Sequence, residues 1–69
     1  MNTVVNVRMN DCVDESYESL MMSEIKNVAG LVTVAAYSNR EYSVTVDTCS
    51  FAHCTLRSWE NKGLLKILG

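Results

Sequence analysis

An α+β open-faced sandwich of order β-α-β-β-α-β, with a four-stranded antiparallel sheet and two helices on one face, is the fold class the sequence predicts. Three observations lead to it. Stretches rich in β-branched residues alternate apolar and polar positions at 3–9, 31–37 and 41–46, and a short apolar run follows at 64–68. Two intervening stretches carry apolar residues at helical steps. No repeat, linker or low-complexity segment interrupts the 69 residues, so one sheet covered by both helices is the economical way to bury these stripes together.

The first strand is "TVVNVRM", Thr3 to Met9, where Val5, Val7 and Met9 alternate with Asn6 and Arg8. The period then changes. Val13, Tyr17, Leu20, Met21, Ile25 and Val28 follow at steps of three and four, with Met22 on the flank of that stripe. Asn10 or Asp11 is expected to cap this first helix, Asp14 and Glu15 suit the positive end of its dipole, and Gly30 supplies a stop.

"LVTVAAY" and "EYSVTV" read as a hairpin joined by Ser38, Asn39 and Arg40. Val32, Val34 and Ala36 are expected on one side, as are Tyr42, Val44 and Val46. A second helix starts near Asp47 to Ser50 and runs to about Asn61, with Gly63 behind it. The last strand is Leu64 to Leu68.

Composition narrows the function. The chain reads as a single domain, 1–69, and at this size folding hides only ~60% of the unfolded surface. With 48% hydrophobic and 20% charged residues it is globular, and no apolar run approaches the roughly 18 residues of a membrane span. The net charge is −2, and Arg8, Lys26, Arg40, Arg57, Lys62 and Lys66 are scattered along the chain. Nucleic-acid binding would leave a basic stripe, so neither nucleic acid nor membrane is expected as a partner. Without an export leader the expected compartment is cytoplasmic, where the thiols of Cys12, Cys49 and Cys54 stay free.

"CSFAHC", residues 49 to 54, holds two of the three cysteines and the only histidine. On a helix turning about 100° per residue, Ala52, Leu56 and Trp59 share the face that meets the sheet. Cys49 and His53 lie together at its margin, while Cys54 points roughly 140° away from Cys49. Structural zinc takes four converging nitrogen or sulfur ligands. Cys49 and His53 therefore make half a site, to be completed by Cys12 or by a second chain, and that set defines a metal-binding or redox-sensing alternative.

No catalytic motif stands out. CxxC, HExxH, GxSxG and phosphate loops are absent, and Asp14, Glu15 and Glu18 read as a capped, solvated helix face. The expectation is a non-enzymatic regulatory module without cofactor that binds another protein, with a homodimer as one form. A phage-encoded inhibitor of a host protein is a variant of it. The expected contact surface joins the first helix (Cys12, Glu15, Met22) to the start of the second (Ser50, Phe51, His53, Cys54). An exposed aromatic at Phe51 would favour interface use.

"NREYSVTVDTCSFAHCTLRSWENKGLLKIL" resembles the HPr family of small phosphocarriers and their degenerate relatives, which share this element order. "VDTCS" is similar to the family's segment whose serine opens the second helix. The resemblance implies that Ser50 matches a regulatory phosphorylation site, although an N-cap alone would also select serine there. The family's phosphate-accepting histidine loop corresponds to "NDCVDES", which has no histidine, arginine or proline, so phosphocarrier chemistry is not carried over.

Two other resemblances share parts of the chain. The element order is similar to ferredoxin-like heavy-metal-associated domains, whose MxCxxC loop is here "MNDCVDE" with one cysteine. "CTLRSWENKGLL" resembles a piece of MerR-type helix-turn-helix proteins, but a strand precedes it where that motif needs a helix.

Overall fold

Six elements follow one another in the expected order in a computed structural model that describes residues 1–69. They are β1 (Asn2–Met9), α1 (Glu15–Ile25), β2 (Leu31–Ser38), β3 (Glu41–Asp47), α2 (Phe51–Asn61) and β4 (Leu65–Ile67). The sheet order is β2-β3-β1-β4, and every pair is antiparallel. β1 and β3 form the centre, in a register that sets Val5 opposite Val44 and Val7 opposite Tyr42.

One face of this sheet is the core. Val5, Val7, Met9, Val44, Val46 and Leu65 meet Met21, Met22 and Ile25 of α1 and Ala52, Leu56 and Trp59 of α2, with Val13 entering from the loop before α1. Each large side chain removed from water there contributes about 1.5–3 kcal/mol. α2 follows the predicted stripe, with Ala52, Leu56 and Trp59 all buried.

α1 departs from its predicted phase. Its N-cap is Asp14, whose Oδ1 accepts the Tyr17 N–H at 2.8 Å, and not Asn10 or Asp11. The helix ends at Ile25, so Val13 and Val28 lie outside it and cannot set its phase. The buried positions are Glu18, Met21, Met22 and Ile25, which stand at i, i+3, i+4 and i+7 and so form one helical stripe. Tyr17 and Leu20 face outward, at 46% and 65% exposure. Met22, expected on the flank as a contact residue, is therefore a core residue. Glu18 lies on the buried face because it finds charged and hydroxyl partners there.

Two further expectations are corrected. Gly30 does not stop the helix; with φ +97° it forms the turn before β2, and its carbonyl accepts the Asp47 N–H at 2.8 Å. In β2 the register slips between Leu31 and Thr33, making Val32 the extra residue of a bulge. Leu31 consequently takes the core side in place of Val32, which is exposed; Val34 packs on the core as expected, and Ala36, on the same face further along this edge strand, is exposed.

The antiparallel pairing of β1 with β3 has one consequence for any site. α1 begins where β1 ends and α2 begins where β3 ends, so the two helix starts lie at opposite ends of the sheet. At ~3.4 Å per residue an eight-residue strand separates them by about 24 Å.

Candidate functional site

The α2 start gathers most of the singled-out residues. β3 leaves the sheet through a turn in which the Ser50 N–H donates to the Asp47 carbonyl at 3.3 Å. The third residue of this turn, Cys49, has φ +66° while Thr48 does not have positive φ, which makes it a type II turn. Gly or Asn is the usual occupant of that position, because a Cβ crowds the backbone there.

Ser50 then caps α2, its Oγ accepting the His53 N–H at 3.2 Å. The Ala52 N–H donates to the Ala29 carbonyl at 3.0 Å. Two of the amides that a helix start leaves open are thereby satisfied, one by the cap and one by the α1–β2 turn. This end of the molecule is a tied junction of three segments. At its tip Phe51, the first residue of α2, is 75% exposed.

Two shallow clefts flank that tip. One of about 320 Å³ is lined by Ala29, Gly30, Asp47, Cys49, Ser50, Phe51 and Cys54. The other, about 460 Å³, includes Thr48, Cys49, His53, Cys54 and Arg57. Cys49 and Cys54 border both, and both are free and exposed. Cys49 precedes the helix, so the 100° step that was expected to separate it from Cys54 does not apply to it. His53 is half-buried at the helix margin, as its spacing predicts.

Cys12 and Glu15 belong to the other end. The Cys12 thiol lies 3.5 Å from the Gly63 carbonyl, beyond the C-terminus of α2, and Glu15 opens α1. The expected contact surface is therefore split: Ser50, Phe51, His53 and Cys54 stay together, Cys12 and Glu15 lie across the sheet, and Met22 is inside. The metal set Cys12, Cys49 and His53 is not brought together for the same reason. No group of three or more metal-ligating side chains converges anywhere in the chain.

The structure adds a polar cluster at the Cys12 end that the sequence reading missed. Arg40, at φ +64° in the β2–β3 turn, accepts the Met9 N–H on its carbonyl at 2.9 Å. Its Nη2 donates to the carbonyls of Asn10, at 3.0 Å, and Val13. Its Nε lies 3.4 Å from Glu18 Oε1, and the Tyr42 hydroxyl donates to Glu18 Oε2.

Arg40 thus clamps the β1–α1 loop and neutralises the buried Glu18. Burial, then the hydrogen bond to Glu18 and its negative charge, push the Tyr42 phenol up to about 12, against a smaller lowering by Arg40. The signal was present in the sequence: Glu18 is three residues from Met21 and seven from Ile25, in phase with the buried stripe. Its partners, more than twenty residues away, were not readable from spacing.

Comparison with solved structures places this architecture. The crystal structure of oxidized MerP from Ralstonia metallidurans CH34 is similar with a TM-score of 0.70, at 15% identity over 100% of both chains. At that identity the likeness is one of fold. The chain has this α+β open-faced sandwich fold, and the ferredoxin-like expectation is supported where the HPr-like one is not confirmed. No protein-family model and no curated protein matches the chain. No helix is long and apolar enough to cross a membrane.

Proposed function

We propose that the chain is a small non-enzymatic protein-docking module whose contact surface is the α2 start, centred on Phe51. The observation that carries this reading is the 75% exposure of Phe51 at a junction tied down on both sides. A phenyl ring left in water forgoes roughly 1.5–3 kcal/mol of burial. Aromatic anchors that enter a partner's pocket dominate many interfaces, and a rigid support limits the entropy lost on docking. Ser50 and Ala29 provide that support through the cap and the inter-segment hydrogen bond.

The neighbouring cleft, with Ala29, Gly30, Cys49 and Cys54 on its walls, would receive a side chain of the partner beside the Phe51 ring. Arg57 in the second cleft offers a charge at the rim. This keeps Ser50, Phe51, His53 and Cys54 as contact residues and leaves Cys12, Glu15 and Met22 out.

Retention of a partner from host extract on immobilised wild-type protein, Phe51→Asp and Tyr37→Asp tests it. Tyr37 is 63% exposed on β2 and controls for loss of any surface aromatic. One stoichiometric partner held by the wild type and by Tyr37→Asp, and released by Phe51→Asp, is the expected pattern. Equal retention by Phe51→Asp sinks the assignment.

A further inference from the structure

We propose that Cys49 and Cys54 form a reversible dithiol–disulfide site at the start of α2, oxidised by small-molecule disulfides. Three observations converge on it. Both thiols are free and exposed, and both border the same two clefts. With Ser50 as the cap, Cys49 and Cys54 occupy the positions immediately before it and four after it. Residues at these two positions often pack against each other across the first turn, the pairing known for apolar residues as a hydrophobic staple, and here both line the same clefts. Finally, Cys49 stands at φ +66°, in a turn position suited to Gly or Asn. Packing does not select a thiol there, because the side chain is exposed and the backbone is strained by having one.

Cys12 is separate from the pair. It lies by Gly63 at the far end of the sheet, so it neither joins the site nor resolves an intermediate formed on it. Thiol–disulfide exchange then runs in two steps. The thiolate of one cysteine attacks a sulfur of the small disulfide, forming a mixed disulfide and releasing one small thiolate. The thiolate of the other attacks the protein sulfur of that mixed disulfide, closing the Cys49–Cys54 bond and releasing the second small thiolate. The two thiol protons end on the two released thiols, and two electrons pass from the protein to the reagent. The inference does not depend on the docking reading, because it concerns the thiols themselves.

The full chain, reduced and then incubated with oxidised glutathione, quenched in acid and alkylated, provides the test. The expected product has lost two hydrogens and carries no glutathione on Cys49 or Cys54. Chymotryptic cleavage after Phe51 then yields two peptides held together until reductant is added. Cys54→Ser changes an exposed side chain and keeps the cap, and it is expected to accumulate a stable glutathione adduct on Cys49 with no internal bond. Separate adducts on both Cys49 and Cys54 of the wild type, or an internal disulfide that includes Cys12, would overturn the proposal.

Discussion

Gly30 and Ser50 meet face to face across the seam between the α1–β2 turn and α2: a methyl group on Gly30 would overlap both Cβ and Oγ of Ser50. The contact lets the cap of one helix rest on the turn that follows the other. It also accounts for serine at position 50 through capping and close packing, beside any role in modification.

Gly30→Ala is therefore expected to destabilise the domain by about 2–4 kcal/mol, from positive φ and overpacking together. Urea denaturation checks this. A loss below about 0.5 kcal/mol, the scale of ordinary surface changes, would show that the seam yields.

The phase of α1 is open to a paired comparison. Met22→Ala removes a buried side chain and should cost about 2–4 kcal/mol, whereas Leu20→Ala, on an exposed position, should stay within about 0.5 kcal/mol. The reverse ranking would restore the stripe read from the sequence.

Arg40 and Glu18 should be energetically coupled. Arg40→Ala leaves a buried carboxylate and frees the carbonyls of Asn10 and Val13, at an expected cost of about 2–3 kcal/mol. In a double-mutant cycle with Glu18→Ala the two losses should fall short of additivity by about 1 kcal/mol or more. Strict additivity would reduce the pair to a coincidence of position.

Tyr42 gives a pH signature. Its proton is held to about pH 12 in the folded chain against about 10 for free tyrosine, so above pH 10 the unfolded state releases a proton that the folded state retains. The associated stability is present below pH 10 and is lost as pH rises towards 12. Ultraviolet titration should show a phenolate appearing near pH 12 that Tyr42→Phe removes and Glu18→Gln moves downward. A wild-type titration without that late step contradicts the buried hydrogen bond.

Cys49 should tolerate glycine better than a branched residue. Cys49→Gly relieves φ +66° and is expected to be neutral or stabilising by up to about 1 kcal/mol, while Cys49→Val should destabilise by about 1 kcal/mol or more. Thermal melting of the two variants ranks them, and equal melting temperatures would mean the turn relaxes to another type.

By itself, the sequence determined what depends on neighbours along the chain. The element order, the α2 stripe of Ala52, Leu56 and Trp59, the Ser50 cap and the Gly63 turn all follow from local periodicity and capping chemistry. Tertiary structure decided what depends on partners far apart in sequence. It turned α1 so that Glu18 and Met22 face inward, because Arg40 and Tyr42 wait there to pair the carboxylate. It chose the strand order, and through the antiparallel β1–β3 pair it set Cys12 at the opposite end from Cys49. It also drew Cys49 off the helix into a left-handed turn beside Cys54, since the chain must reverse between β3 and α2 before Ser50 can cap. A helical wheel contains none of these constraints.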